Sequence, residues 1–424
     1  MTESERGTAF LILEDGSRFE GVRLGARGLT VGEVVFNTSM TGYQEMLTDP
    51  SYAGQILVPT YPMIGNYGIN VRDWESRRIQ VRGLVVREDC PEPSHYLSQM
   101  TLHEYLLEHG IPAISGVDTR AITRRLRSRG VMMGVVTEDP DIEQGMLAIR
   151  SAPRYGEEDV VGAVTVGAVT TWNGHEEHGA PMQVSVPEPV EGGKAGHSWL
   201  RQAQPSGVPA AEHSTGRGEG GGTPGEGKRP RIVVGDYGVK FNILRMLAHR
   251  GCDVVIMPAI SSASQILAMK PDGVLLSPGP GDPELLDHSV EAARALAGKV
   301  PIFGICLGHQ VIGRAFGAKT FKLKFGHRGG NHSVKDLATG RVYITAQNHG
   351  YSVSREGLPP ELEVSHIDLS DNTVEGLRHR TLPIMTIQYH SEASPGPKDN
   401  EYLFDRFVEM ARKARSAGAA RGNA

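Results

Sequence analysis

A stretch of 56 residues near the middle of the chain, 174–229, determines how the 424-residue sequence can divide into folded units. It contains 13 glycines and 6 prolines, and Leu200 is its only Leu, Ile, Phe or Tyr. A segment of this composition cannot bury enough apolar surface to offset the entropy lost on ordering. We therefore predict a disordered linker at 174–229, between an N-terminal domain at 1–173 and a C-terminal domain at 230–424.

The C-terminal side alternates short apolar runs with helical patterns. Strands are predicted at 231–235, 253–258, 273–277 and 300–304, and helices at 240–250, 262–270 and 285–297. Strands that alternate with helices at this spacing form a mainly parallel sheet flanked by helices. Such a sheet carries its chemistry at the carboxyl ends of its strands, so those ends are where functional residues are sought.

The N-terminal side lacks this alternation. It begins with a hairpin pattern at 9–22, continues with β-rich runs at 31–37 and 79–87, and has a helix pattern at 119–129 that begins after Asp118. We predict a mixed α/β domain here, and the α/β class for the chain as a whole.

A cysteine version of the nucleophile elbow, Gly304-Ile-Cys306-Leu-Gly308, follows the fourth C-terminal strand. The glycines permit a sharp strand-to-helix turn that raises the Cys306 side chain above the sheet. The start of the following helix favours the thiolate, which is the attacking species. The amide of Leu307 would face the oxygen of any carbonyl that Cys306 attacks. Cys306 is the candidate nucleophile, and the alternative is a buried structural cysteine.

A nucleophile of this kind needs a base. His390 follows the apolar run 382–387, and an extended chain there would place Glu392 on the same face as His390. A carboxylate in that position can hold the imidazole in one tautomer and stabilise the imidazolium. The competing histidines lack a carboxylate two residues away; they are His309, His327, His332 and His349.

A turn with two glycines between prolines, 278–283, ends the preceding predicted strand. Its backbone can approach a ligand closely. One of its amides could provide a second oxyanion donor, which is worth about 3 kcal/mol in other enzymes.

Charge and residue usage exclude several partners. Lys and Arg total 44 against 49 Asp and Glu, and this net charge of −5 gives no reason to expect nucleic acid or an acidic membrane. No apolar run approaches the roughly 18 residues of a membrane span. Three cysteines in a chain of this length favour a reducing, cytoplasmic compartment. The pairs His175 with His178 and His327 with His332 have no Cys or carboxylate that completes a recognisable ligand set in the sequence, so no metal is expected.

These motifs together resemble a known family. The segments around Cys306, the 278–283 turn and His390 look like those of class I glutamine amidotransferases. Segments elsewhere resemble the small chains of carbamoyl-phosphate synthases; they are 36–52, 116–124, 325–332 and 345–351. The resemblance covers nearly all of the chain outside 174–229. Two departures are Pro278, where the family usually has Asn, and the unusual length of the linker.

The resemblance implies a glutaminase subunit with the triad Cys306, His390 and Glu392. It also implies that Gly279 and Leu307 would supply the oxyanion amides. The residues that would line the L-glutamine pocket are Ser51, Gly281, Gln310, Asn348, Gly350 and Tyr351.

The same resemblance implies a heterodimer with a large chain and no cofactor in this chain. The large chain would use ATP and Mg to make carbamoyl phosphate from bicarbonate and the released ammonia, for arginine and pyrimidine biosynthesis. One alternative is the glutaminase subunit of another amidotransferase such as anthranilate synthase, which lacks a domain like the N-terminal one. The other is a catalytically silent regulatory subunit, against which the intact triad argues.

Overall fold

A computed structural model describes residues 6–172 and 229–422, with side chains described as far as residue 416. The predicted linker falls outside the described residues except for Arg229, so it stays a prediction. The strands are β1 Thr8–Leu13, β2 Arg18–Gly25, β3 Thr30–Asn37, β4 Gln55–Pro59, β5 Met63–Ile64, β6 Gly83–Val85, β7 Glu88–Asp89, β8 Pro112–Ser115, β9 Met132–Thr137, β10 Thr170–Thr171, β11 Arg231–Asp236, β12 Asp253–Pro258, β13 Gly273–Leu276, β14 Ile302–Ile305, β15 Thr320–Asp336, β16 Val342–Val353, β17 Leu362–Asp368, β18 Val374–His379 and β19 Ile384–Ile387. The helices are α1 Tyr43–Thr48, α2 Leu102–Glu108, α3 Thr119–Arg129, α4 Ile142–Ser151, α5 Val160–Val164, α6 Phe241–His249, α7 Ala263–Ala268, α8 Asp287–Leu296, α9 Leu307–Ala315 and α10 Tyr402–Gly422.

Seven strands of the N-terminal half close into a barrel in the order β1-β2-β8-β6-β4-β3-β9, with β9 pairing back to β1. The predicted hairpin is the antiparallel β1–β2 pair. Helix α3 has the predicted bounds, and the Asp118 side chain accepts a hydrogen bond from the Ala121 amide at its start. The strand predicted at 79–87 is shorter, because the Gln80 amide donates to the Leu47 carbonyl outside the barrel.

The C-terminal half forms a sheet in the order β10-β12-β11-β13-β14-β19-β18-β16-β15-β17. Strands β12, β11, β13, β14 and β19 are parallel, and β18, β16, β15 and β17 continue the sheet with antiparallel pairing. The predicted strands and helices of this half lie within two residues of those observed. The α/β class is confirmed.

The two halves pack together directly. Strand β10 lies in the N-terminal region of the sequence but pairs with the edge strand β12 of the C-terminal sheet. One buried apolar cluster contains Leu47 and Trp74 from the first half and Phe241 and Ile243 from the second. The carboxyl ends of the parallel strands therefore have residues of the N-terminal half beside them.

Helices long and apolar enough to cross a membrane are absent from the described parts of the chain.

Candidate active site

The elbow after β14 has the backbone that the sequence predicts. Cys306 has φ 52° and ψ −104°, a conformation that non-glycine residues rarely adopt and that is typical of strained functional turns. Helix α9 begins at the next residue, Leu307. A Cβ atom on Gly308 would collide with the Leu276 carbonyl oxygen, and one on Gly304 would collide with the Gly308 backbone. The glycines are therefore required by close approach of the backbone on both sides of Cys306.

Burial controls the protonation of the nucleophile. Cys306 is 2% exposed, and its sulfur lies 3.7 Å from the Asn348 carbonyl oxygen, toward which the thiol can donate. Burial raises the pKa of Cys306 well above its ordinary value; Asp49 and Glu392 add to that effect, while Lys240 and the Leu307 amide oppose it. The thiol is thus the resting form, and the start of α9 does not by itself produce the thiolate.

His390 and Glu392 form a buried pair. His390 Nδ1 lies 2.6 Å from Glu392 Oε1, so the carboxylate fixes a proton on Nδ1 and leaves Nε2 to act. Burial on its own would raise the pKa of Glu392, but Lys240 and His390 lower it to about 2. Glu392 is therefore ionised and can orient and stabilise the imidazole.

The structure does not join the base to the nucleophile by a hydrogen bond. His390 Nε2 is buried and has no hydrogen-bond partner among the described residues. Cys306 lines one cavity and His390 a second one, and Asn348 borders both. Catalytic hydrogen bonds are often loose without substrate, so this geometry agrees with a site in its resting state.

The other candidate bases lie elsewhere. His309 is buried, and its Nδ1 contacts the Thr386 hydroxyl oxygen at 2.7 Å. His327 lies between His332 and His349, with ring centroids 5.0 Å from each, in a separate cluster. Only His390 among these histidines is paired with Glu392.

The cavity beside Cys306 collects seven of the eight residues predicted to contact glutamine: Ser51, Gly279, Gly281, Gln310, Asn348, Gly350 and Tyr351. The eighth residue, Leu307, directly follows Cys306, and its amide forms a hydrogen bond with the Cys306 sulfur beside the cavity. The Ser51 hydroxyl is buried without a hydrogen-bond partner among the described residues, as expected of a group that forms its hydrogen bond with a bound ligand.

Behind the triad lies a buried ionic cluster that the sequence analysis missed. Lys240 Nζ lies 3.1 Å from Glu392 Oε1 and 3.7 Å from Asp49 Oδ2. Asp49 also accepts a hydrogen bond from Asn348 Nδ2 at 2.9 Å. Lys240 follows β11 closely, so a search of strand ends for charged residues could have found it. Asp49 belongs to the N-terminal half, so the ionic cluster joins the two halves.

Tyr155 of the N-terminal half was also missed. Its hydroxyl accepts a hydrogen bond of 2.9 Å from the Gly281 amide inside the cavity that Cys306 lines. The hydroxyl proton can still be donated to a molecule bound there. No local pattern around Tyr155 signals this role, because the contact depends on how the two halves pack.

Comparisons with known proteins agree with this arrangement. Residues 11–136 match the family described as carbamoyl-phosphate synthase small chain, CPSase domain, and residues 233–410 match glutamine amidotransferase class-I. The chain is 48% identical over 400 residues to the carbamoyl phosphate synthase small chain of Symbiobacterium thermophilum, covering 94% of this chain and 97% of that one. The chains of the same name from Staphylococcus epidermidis and Akkermansia muciniphila are 45% and 46% identical, each over 95% of this chain and over 95% and 97% of their own lengths.

Proposed function

The chain belongs to the family of carbamoyl-phosphate synthase small chains, and we propose from this premise that Cys306, His390 and Glu392 carry out its glutaminase reaction. The chain is the glutamine-hydrolysing subunit of a carbamoyl-phosphate synthase, a ligase of arginine and pyrimidine biosynthesis. The match at 11–136 excludes the glutaminase subunits of other amidotransferases. The buried pair of His390 and Glu392 beside the Cys306 elbow is the observation that supports the catalytic assignment over a silent subunit.

In the first half of the reaction, His390 Nε2 removes the proton from Cys306, and the thiolate attacks the side-chain amide carbon of glutamine. The amides of Leu307 and Gly279 stabilise the oxyanion of the tetrahedral intermediate. The imidazolium then returns its proton to the amide nitrogen, the carbon–nitrogen bond breaks, and ammonia leaves a γ-glutamyl thioester on Cys306.

In the second half, water attacks the thioester while His390 takes one of its protons. A second oxyanion forms at the same amides and collapses to release glutamate. The proton returns from His390 to the Cys306 sulfur. Glu392 stays ionised throughout, since Lys240 and His390 hold its pKa at about 2 despite burial, and its charge stabilises the imidazolium.

The family implies a large-chain partner, and we propose that ammonia passes to it internally. His390 borders a cavity of about 400 Å³ lined by residues of both halves, including Thr38, Met40, Gly330 and Pro395. Ammonia released beside His390 can enter this cavity. We propose that the large chain, in a heterodimer in the cytoplasm, supplies the ATP and Mg sites, and that this chain needs no cofactor.

The test is Cys306→Ala in the assembled enzyme. We expect glutamine-dependent carbamoyl phosphate synthesis to be abolished and synthesis from added ammonia to remain near wild type, because the thiolate serves only amide cleavage. Parallel loss of both activities in a complex that still assembles would contradict this division of labour.

A further inference from the structure

A second group of ionisable side chains lies apart from the triad, at the antiparallel end of the C-terminal sheet. We call it the His327 cluster, and it consists of His327, His332, Asp368 and Asp371. The two histidines lie on β15, Asp368 ends β17, and Asp371 lies in the turn before β18. The sequence argued against a metal here because no carboxylate adjoins the histidines along the chain. Folding supplies the carboxylates from elsewhere.

Oxygen atoms face both ring nitrogens of His327. Nδ1 lies 3.0 Å from Gln347 Oε1, and Nε2 lies 2.9 Å from Asp371 Oδ2. A neutral imidazole carries one proton, so one of its lone pairs would point at an oxygen. The Gln347 amide oxygen also lies 2.8 Å from His349 Nε2, and the amide nitrogen donates to the buried Glu375 carboxylate at 3.1 Å. His327 is thus placed among oxygen atoms that suit a cation, either a second proton or a metal ion.

Asp368 distinguishes between these two charges. The residue is fully buried, and its Oδ1 accepts a hydrogen bond from the Ser370 amide at 2.6 Å. Its Oδ2 has no hydrogen-bond partner among the described residues, and His332 Nδ1 lies 3.6 Å away. A second proton on His327 is bonded by Gln347 or Asp371, which leaves His332, at 3.6 Å, to pair with this oxygen. A metal ion between His327, His332 and Asp368 satisfies all three groups at once.

The spacing suits a transition metal. One donor atom each from His327, His332 and Asp368 lies within 4.8 Å of the other two. Zinc bonds of about 2.0–2.2 Å in a tetrahedron require donors roughly 3.3–3.5 Å apart, close to the 3.6 Å between His332 and Asp368. The side chains of His332 and Asp371 are 20% and 42% exposed, so a hydrated ion can reach the site.

We propose that the His327 cluster binds one divalent transition-metal ion, preferentially Zn²⁺. The ligands are His327 through Nε2, His332 through Nδ1 and Asp368 through Oδ2, with Asp371 adjoining from the solvent side. The two imidazole donors favour zinc over magnesium or calcium, which prefer oxygen ligands. Gln347, buttressed by Glu375, holds His327 Nδ1 and orients the ring, as outer groups do at zinc sites.

The consequence is structural. Gln347 lies on β16 directly before Asn348, which borders the glutamine cavity. A metal that fixes His327 therefore braces the strand that carries this wall of the pocket. The proposal does not depend on the catalytic assignment, because binding is measured without glutamine.

The test uses the full chain without a histidine tag, in a Cys306→Ala background so that this thiol cannot bind zinc. After chelator treatment, equilibrium dialysis against Zn²⁺ should give one ion per chain. Asp368→Asn and His332→Gln should each weaken binding at least about 10-fold. The matched controls are Asp287→Asn, which removes a carboxylate from α8, and His95→Gln, at an exposed position; neither should change binding.

Two further measurements decide the outcome. Zn²⁺ should raise the Tm of the parent chain and the controls but not of either cluster variant, since a ligand that binds only the folded state stabilises it. Substituted Co²⁺ should give the visible absorption of a four-coordinate site. No stoichiometric zinc, or zinc binding that survives both cluster substitutions, would overturn the proposal. Nitrogen NMR that shows doubly protonated His327 in metal-treated protein would also overturn it.

Discussion

The two halves of the molecule contribute to the glutamine site in different ways. Cys306 follows β14, and His390 and Glu392 follow its parallel neighbour β19, so strand pairing alone brings the three near one another. Ser51 and Tyr155 lie outside the barrel strands and reach the cavity only because the halves pack together. The difference indicates that the catalytic steps and the binding of glutamine can be altered separately. Changes in the candidate triad should act on kcat, and changes at Ser51 or Tyr155 of the N-terminal half on KM.

Of the substitutions that test this difference between the halves, removal of the proposed base His390 should have the largest effect. By analogy with serine triads, His390→Ala should lower kcat by at least about 10⁴-fold, and Glu392→Gln by roughly two orders of magnitude less. The imidazole transfers the proton, whereas the carboxylate orients the imidazole and stabilises its charged form. The double variant should be little worse than His390→Ala. Additive losses in steady-state kinetics would count against Glu392 as a member of the triad.

Glu392 should also leave a signature in acid. Its folded-state pKa of about 2 lies below the ordinary 4.5, because Lys240 and His390 outweigh burial. Its contribution to stability is therefore present above about pH 4.5 and is lost as the pH falls toward 2. Urea denaturation at several pH values should show a smaller acid loss for Glu392→Gln than for wild type.

The ionic cluster that joins the halves can be broken at its centre. Lys240→Met leaves Asp49 and Glu392 as buried carboxylates without their cation, and should lower the free energy of unfolding by about 3–5 kcal/mol. Lys413→Met, at an exposed i,i+4 pair with Glu409, is the control and should leave the free energy of unfolding nearly unchanged. Equal effects in chemical denaturation would show that the buried cluster does not stabilise the packing of the halves.

Ser51→Ala tests whether the N-terminal half acts on binding. The buried hydroxyl, which has no hydrogen-bond partner within the part of the chain that the structure describes, should donate to bound glutamine. Losing about 1.5 kcal/mol from that bond should raise KM roughly 10-fold with kcat nearly unchanged. Ser128→Ala, on the exposed side of α3, should be silent. A fall in kcat at constant KM would break the proposed separation.

Tyr155→Phe should have a smaller effect of the same kind. Removing the hydroxyl that accepts from the Gly281 amide and can donate to substrate should raise KM about 3- to 10-fold. Tyr96→Phe, at an exposed position, provides the matched control. A lower KM in Tyr155→Phe would instead show that the hydroxyl obstructs glutamine.

The smallest effect should come from shortening the connection between the halves. The Trp172 amide donates to the Val254 carbonyl, and the Asp253 amide donates to the Pro230 carbonyl, so both ends of the connection meet the start of β12. Because the two ends of the connection lie on either side of β12, they are about 10 Å apart, which is twice the spacing of neighbouring strands. Replacing 179–227 with a short Gly/Ser link should leave glutaminase activity unchanged. The Tm should stay the same or rise slightly, since closing 56 residues costs roughly 2 kcal/mol more than closing 6. A shortened chain that folds but no longer binds the large chain would reveal a role for this segment.

Local pattern accounts for the elements of the C-terminal half and for the choice of the proposed triad residues. Strand ends and glycines mark Cys306, and the i,i+2 spacing marks His390 with Glu392. The barrel closure and the short β6 were not predictable, because they depend on which distant strand accepts each amide. Lys240 and Tyr155 were missed for the same reason, since burial against the other half gives them their roles.

The sequence by itself determined the strand–helix order, the elbow at Cys306 and the family. The strand–helix order and the elbow follow from periodicity, glycine placement and spacing within short segments, and the family follows from the resemblance of several segments to known chains. Only the tertiary structure decided which groups meet across the chain. Asp49 and Asn348 are separated by 299 positions, yet they share a hydrogen bond. Asp368 lies 36 positions beyond His332 and contacts it through the pairing of β15 with β17. Contacts of this kind arise from the packing of whole elements, which no local run of residues encodes.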